Sequence, residues 1–447
     1  MSPHPSNMPR TAAEVLVDQL LVQGIEHVFC VPGESYLAVL DAFHDRSVAV
    51  TVCRQEGGVA IMAEAVGKAT GRPGVCFVTR GPGATNAAHG IHIAQQASTP
   101  MIMFVGQIER GARGREAFQE LDYRAVFGPM AKWADEIDDP ERIPELVSRA
   151  FHVAMNGRPG PVVLALPEDM LIERVTVADA PRVEPAESAP TDADMVRFAA
   201  MLESARAPML ILGGSRWDVG SCDAVRRFAE RWALPVATSF RRLPLFDALH
   251  PNYAGDLGIG TSPALLARIK AADLVIAAGG RLGDIPSQGY TLFDVPKPGC
   301  RLIHIHPEPS ELGRVYAADL AIAASPGGLA AVLGDVAPTR PVAWADSAAA
   351  AHAEYRAWSD VATPQPGGVN LGEIMVWLRE NLPLRRSSPA APAISRPGSP
   401  ASIASGASPA TPRRCRAQWA TACRRRWRCS VCTRTFPWSA SRATAIS

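Results

Sequence analysis

Past Glu380 the sequence has no aspartate, no glutamate and no lysine, while arginine, serine, proline and alanine abound. Such a segment cannot build the mixed-charge surface of an ordinary domain, and neither a helical nor a strand period survives in it. Long apolar runs are missing too. The longest are of strand length, which argues against a membrane-spanning helix. Residues 1–10 are polar and contain proline, without the apolar centre of a secretory signal. A cytoplasmic protein is therefore expected. Cysteine is thinly spread up to Cys300, and Cys30, Cys53, Cys76, Cys222 and Cys300 look like reduced, buried thiols rather than a disulfide framework. A net charge of +1 over 447 residues gives no overall field to attract nucleic acid or a membrane.

What is present is a composition of 47% hydrophobic and 20% charged residues, which is globular, in a chain long enough for two or three domains. From Thr11 to about Pro181, short β-branched runs alternate with alanine-rich stretches. The pattern predicts strands at 27–31, 48–53, 75–79, 101–105 and 162–166, with helices at 12–23, 60–70, 84–97 and 143–155. A linker rich in proline, alanine and glutamate covers 180–190. The alternation then resumes, with strands at 209–212, 235–238, 274–277 and 302–305 and helices at 222–232 and 264–271. Residues 338–368 read as a second linker and 371–381 as one more helix. The fold class is α/β: two consecutive doubly wound parallel-sheet domains, over 10–181 and 191–338. Residues 339–383 hold the linker and a first helix of a third unit, and 384–447 a disordered or non-native tail.

Two features carry chemistry. Glu56 follows a strand and opens a helix, where a carboxylate suits the helix dipole whether or not it has a further role. Glu64 lies along the same helix. Thr79-Arg80-Gly81-Pro82-Gly83-Ala84-Thr85-Asn86 is a glycine-rich strand-to-helix turn that lets backbone amides approach an anion. It lacks the third glycine of the dinucleotide fingerprint. Taken singly, either feature is common.

Their combination is specific. Val31-Pro32-Gly33-Glu34, Arg54-Gln55-Glu56, Gly81-Pro82-Gly83-Ala84-Thr85-Asn86, Ser98-Thr99-Pro100 and Gly106-Gln107 occur in that order. The arrangement resembles the pyrimidine-binding domain of thiamine-diphosphate-dependent enzymes. The resemblance covers residues 10–383 and is closest to the acetolactate (acetohydroxyacid) synthase branch, whose substrate-side segment matches Phe118-Gln119-Glu120 and Lys132. The histidine pair of the decarboxylases in this superfamily is absent.

The resemblance implies a role for each position. Glu56 would hydrogen-bond the pyrimidine ring nitrogen of thiamine diphosphate and favour its imino tautomer; a half-buried glutamate with a raised pKa suits that proton sharing. Gly33, Glu34, Gly81, Gly83, Thr85 and Asn86 would hold the cofactor. Phe118, Gln119 and Lys132 would face a small 2-keto acid. In the central domain Gly258, Gly260, Gly279, Gly280, Arg281 and Asp284 resemble positions that hold FAD. The usual acidic strand end there reads His304-Ile305-His306-Pro307, which leaves FAD open. A histidine pair at that spacing on a strand more often shares a face than binds a metal, and no metal site is assigned. The resemblance further implies a homodimer or homotetramer formed through the pyrimidine-binding domain, with Mg²⁺ bound to the diphosphate by ligands of a third domain.

Those Mg²⁺ ligands are missing from this chain. Four cysteines, Cys415, Cys423, Cys429 and Cys432, stand among arginines in the tail and invite a zinc or nucleic-acid module, but only one CxxC is present. A shifted reading frame accounts for more. Codons built from the third base of one residue and the first two of the next allow Gln418–Ser447 to be re-read as MGYGVPAAVAMQRLHPDLPVVSIAGDGDF. The steps from Trp419 to Ala420 and from Trp427 to Arg428 are nearly forced. The string alternates like a buried domain and ends on the family's diphosphate–magnesium motif. The expectation is a frameshift between about Leu382 and Arg386. The function expected is that of an acetolactate-synthase-like carboligase or decarboxylase, impaired in this chain. The alternatives are another thiamine-diphosphate lyase, acting on a different 2-keto acid or an acyl-CoA, and a non-catalytic fragment that still dimerises.

Overall fold

The structure, a computed structural model, describes residues 8–381. The cysteine-rich segment and the expected change of frame lie outside these residues.

Two six-stranded parallel sheets form the frame. The first contains β1 (His27–Cys30), β2 (Ala49–Val52), β3 (Gly74–Val78), β4 (Met101–Gln107), β5 (Trp133–Glu136) and β6 (Pro161–Pro167), in the spatial order β2-β1-β3-β4-β6-β5. Its helices are α1 (Ala12–Val22), α2 (Leu37–His44), α3 (Glu56–Thr70), α4 (Pro82–Gln96), α5 (Tyr123–Phe127) and α6 (Ile143–Met155). The second sheet contains β7 (Pro208–Leu212), β8 (Val236–Ser239), β9 (Tyr253–Leu257), β10 (Leu274–Ala278), β11 (Arg301–His306) and β12 (Leu320–Ala323), in the order β9-β8-β7-β10-β11-β12. With it go α7 (Asp192–Glu203), α8 (Val219–Arg231), α9 (Pro263–Ala271), α10 (Pro326–Val332) and α11 (Ser347–Ser359); α12 (Leu371–Asn381) follows. Both domains are doubly wound, as the sequence predicts.

Every residue of the interior strands β3, β4, β6, β7 and β10 is buried, because helices cover both faces of each sheet. Alternate residues serve opposite cores. Phe77, Phe104 and Leu164 point to one side of the first sheet, and Cys76, Met103 and Val163 to the other. The helices begin where side chains can satisfy the free amides. Thr11 and Glu14 form a reciprocal capping box on α1, and Thr191 and Asp194 form another on α7.

The structure departs from expectation in several places: helices α2, α5, α7 and α10 are not among those the sequence predicts. Residues 338–368 are not a plain linker. They contain α11, whose Ala351 and Tyr355 are buried against the second sheet, with Tyr355 edge-on to Tyr253 at 4.9 Å. Strands β5, β9 and β12 also escape the sequence reading. Residues 180–190 do lack helix and strand, but the first part is zipped onto α1. The buried Gln19 pairs with the backbone of Ala180 (3.0 and 2.8 Å), and the buried Gln23 with Pro181 O (3.0 Å) and Val183 N (2.9 Å). All five cysteines of the described residues are free. Burial pushes the Cys30 thiol up to about 11, as for an inert core thiol.

Candidate active site

In a doubly wound sheet the loops at the carboxyl ends of the strands meet in a crevice where the strand order reverses. In the first sheet that point lies between β1 and β3. Gly33 follows β1, Gly81 follows β3, and Glu56 follows β2, the other neighbour of β1. Topology therefore brings together three segments that are separate in sequence.

Glycine is required here for close approach. A Cβ on Gly33 would sit 2.4 Å from Thr79 Cβ, and one on Gly83 would sit 2.7 Å from Thr79 Cγ2. Gly81 has a φ of +57°, and a Cβ on it would meet Gln119 Cβ at 2.7 Å. The Gly81 N–H donates to the Tyr123 hydroxyl at 2.8 Å. Ser35 and Thr79 share a hydrogen bond of 2.9 Å beneath these turns.

Glu56 is the first residue of α3 and is half-buried. Gln55 caps the helix, accepting from Gly58 N at 2.9 Å, so the Glu56 side chain is free for another task. That side chain accepts from Asn86 Nδ2 at 3.2 Å, and its other oxygen lies 3.7 Å from where a Gly83 Cβ would be. α3 and α4 can cross this closely because of two glycines. A Cβ on Gly57 would lie 2.0 Å from His89 Cε1, and one on Gly90 would lie 2.3 Å from Ala60 Cβ. Thr85 turns back on its own helix, donating to Pro82 O at 3.1 Å and to Gly81 O at 3.3 Å. Glu34 reaches the Arg80 guanidinium at 3.2 Å, and Arg80 also holds Glu168 at 2.8 Å. Burial, together with the neighbouring Cys30, Cys76 and Glu56, pushes the Tyr36 phenol up.

Of the residues expected to face substrate, Gln119 packs on Gly81 with a left-handed φ of +67°, while Phe118 projects into solvent, 74% exposed. Lys132 lies apart from these residues in the fold. It precedes β5, and its N–H donates to Pro161 O at the start of β6 (2.8 Å), which is the opposite edge of a parallel sheet from Glu56. Its ammonium donates to Asn156 O beside Glu308, and burial lowers its pKa to about 8. Within this chain it lies at the amino end of its sheet, away from Glu56 at the carboxyl end. Ser35 and Tyr123, distant in sequence from the Thr79–Asn86 turn, are brought by the fold to bond Thr79 and Gly81.

The positions assigned to FAD lie on the second sheet. Gly258 and Gly260 follow β9, and Gly279, Gly280, Arg281 and Asp284 follow β10, with two strands between them. A Cβ on Gly279 would lie 2.8 Å from Gly213 O, and one on Gly280 would lie 2.8 Å from Gly213 Cα, so backbone fills this turn. Arg281 donates to Gln96 O at 2.8 Å, and Asp284 is exposed. These contacts do not fit a flavin cradle. His304 and His306 are buried on one strand and bond separately: His304 Nε2 lies 3.0 Å from Gly280 O, and the Glu308 N–H donates to His306 Nδ1 at 3.0 Å. Burial lowers the His306 pKa to about 4.

Comparison with known proteins agrees with this geometry. Residues 10–126 match the family described as thiamine pyrophosphate enzyme, N-terminal TPP binding domain, and residues 195–333 match its central domain. The acetolactate synthase large subunit of Parasynechococcus marenigrum (strain WH8102) is 32% identical over 403 residues, covering 85% of this chain and 63% of that protein. Acetolactate synthase of Arthrospira platensis is 33% identical over 343 residues (73% of this chain, 58% of that protein). The acetolactate synthase isozyme 2 large subunit of Escherichia coli (strain K12) is 32% identical over 312 residues (69% and 56%). The chain thus spans about three-fifths of the length of these curated relatives. A glutamate, an asparagine and three close-packed glycines at the reversal point of one sheet, with matches to both domains in order, place this chain in the thiamine pyrophosphate enzyme family.

Proposed function

We propose that the chain carries the pyrimidine-binding and central portions of a carboligase or decarboxylase acting on 2-keto acids, in the manner of its acetolactate synthase relatives. The observation that carries this reading is the Glu56–Asn86 pair beside glycines whose Cβ atoms would clash. When bound, thiamine diphosphate supplies a carbon nucleophile and an electron sink for decarboxylation. The chain's own residues do the rest. Glu56 shares a proton with the pyrimidine ring nitrogen, and Asn86 fixes the orientation of its carboxyl group. Gly33, Gly81 and Gly83 let the motif turns close on Thr79 and Gln119 beside Glu56, and would hold the cofactor through their backbone. Gln119 and the exposed Phe118 line the approach for the 2-keto acid. The exposed Val50 and Val52 on the edge strand β2, and the exposed Leu37 at the start of α2, are apolar surface of this domain, in keeping with a homodimer through the pyrimidine-binding domain.

Binding of the diphosphate through Mg²⁺ needs carboxylate ligands, and residues 381–447 contain none. We therefore propose that this chain as written binds the cofactor weakly, and that restoring the reading frame near Leu382 restores binding and turnover. The test is paired. Calorimetry of this chain with thiamine diphosphate and Mg²⁺ should show at most millimolar binding, against roughly micromolar for the frame-restored protein. The restored protein, given pyruvate, should then form acetolactate. Micromolar binding by the chain as written would remove the proposed impairment. A restored protein that releases a different product from another 2-keto acid or an acyl-CoA would select that lyase instead. If restoration adds neither binding nor turnover, the chain is a non-catalytic family member.

A further inference from the structure

Counted from β7, the second sheet has the order 3-2-1-4-5-6, and its strand order reverses between β7 and β10. A doubly wound domain places a dinucleotide at this point, with the diphosphate against the amino end of a helix. Here the glycine turns after the two strands pack on each other instead. A Cβ on Gly214 would fall 1.8 Å from Gly279 O. Trp217 covers the turn and donates to Gly213 O at 2.7 Å.

The element that enters the mouth of the crevice is the carboxyl end of α4, from the other domain. Its last carbonyls are taken in succession. Arg158 donates to Gln95 O at 2.6 Å, Arg281 to Gln96 O at 2.8 Å, Arg242 to Ala97 O, and the Ser215 hydroxyl to Ser98 O. Arg242, only 7% exposed, also donates to Ser215 Oγ at 2.6 Å, and Arg158 holds Glu311 at 3.0 Å. The terminal carbonyls of a helix have no partners within it and carry its negative pole. Three guanidinium groups there make charge-assisted bonds, the stronger kind. α3 is tied to the same place. Its buried Glu64 accepts from Thr99 at 3.0 Å and pairs with Lys68 at 3.4 Å, and the positive charges of Lys68, Arg242 and Arg241 outweigh desolvation to lower its pKa. An anionic dinucleotide entering this crevice would have to expel the helix end and would face its negative pole.

We infer that the crevice of the central sheet is an interdomain latch that takes no flavin: Arg242 and Arg281 are positioning residues that hold the far end of α4, whose first turns present Asn86 to Glu56. Gly279 and Gly280, two of the glycines that resemble a flavin site, serve close backbone packing beside the latch. Because α4 is a continuous helix of 15 residues, a displacement at Gln96 is carried to the motif end.

Two measurements on the whole chain test this. FAD is titrated into the purified protein, following flavin fluorescence and absorbance. No saturable binding is expected up to about 100 μM. Stoichiometric binding would overturn the inference. Hydrogen exchange is then compared between the native chain, the double variant R242G/R281G and the double variant R242K/R281K. Loss of two charge-assisted bonds should speed exchange at residues 94–99 roughly tenfold or more, with a smaller increase at Thr85 and Asn86, and the lysine variant should recover part of the protection. An increase confined to residues 240–243 and 281–284, with α4 unchanged, would overturn the latch. If the glycine variant unfolds, seen as exchange throughout β7 and β10, the flavin titration and the lysine variant still decide.

Discussion

The carboxyl edges of the two sheets started from the same architecture and ended in opposite states. Both are six-stranded and parallel, both reverse order beside their first strand, and both carry glycine turns at that reversal. On the first sheet the turns flank Glu56, Asn86 and an exposed Phe118, and the edge is available to a ligand. On the second sheet glycine packs on glycine, arginines fill the mouth, and the occupant is a helix end from the neighbouring domain. Glycine at a reversal point marks close approach. What approaches, a cofactor or another part of the same chain, depends on the side chains that follow.

The comparison can be broken most severely at Glu56. In a frame-restored protein, Glu56→Gln should lower kcat by roughly 10³-fold, the scale of positioned acid–base catalysis, with the fold unchanged by circular dichroism. Turnover within a few-fold of the parent would remove chemistry from the first edge and leave the two edges alike. The second edge should respond in stability instead. Gly214→Ala places a methyl group against Gly279 O in a backbone with φ of +76°, and should cost about 3 kcal/mol in urea unfolding.

Acid should separate the edges further. His306 has a folded pKa lowered to about 4 from 6.5, and that of His304 is lowered as well, both chiefly by burial. Below 6.5 the unfolded chain takes up protons that the folded chain refuses, so stability falls as pH drops from 6.5 towards 4. The loss should amount to about 2–3 kcal/mol from His306. Thermal melts between pH 7 and pH 4 should be shallower in His306→Asn, which keeps an acceptor for the Glu308 N–H. A parallel slope would show that this strand end is not the acid-sensitive element. The smallest effect is expected at Lys132. Lys132→Met in the frame-restored protein should change KM by less than about twofold, because the residue sits on the amino edge of its sheet. A tenfold rise in KM would bring Lys132 into the substrate path, through a second subunit.

The sequence revealed the interior strands and one rim strand, β2, and lost the other three rims. β3, β4, β6, β7 and β10 are buried throughout, so each appears as an apolar run. The unseen strands β5, β9 and β12 are all edge strands. Trp133–Glu136 is half-exposed and ends in two acids, Tyr253–Leu257 contains glycine and aspartate, and Leu320–Ala323 buries only every second residue. A strand paired on one side is freed from continuous hydrophobicity and loses that signal. α11 was hidden by surrounding prolines, although its alanine run, with Ala351 and Tyr355 four apart, was a usable cue. Glu56 and the Gly81 turn were legible because each lies in one short segment. Tyr123 and Ser35 were not, since their partners Gly81 and Thr79 are distant in sequence and meet them only across the sheet.

Gln19 of α1 and Gln23, the residue that follows it, give the link between the domains an unexpected mechanical character. Gln19 and Gln23 grip the main chain from Ala180 to Val183 much as a neighbouring strand would, with donor and acceptor both engaged. A boundary that composition marks as a flexible tether is therefore clamped at its start, and a protease seeking to separate the domains would be denied an extended substrate there. Cutting or lengthening the chain at 180–183 would release α1 along with the tether, so engineered fusions or circular permutations are better placed beyond Glu184.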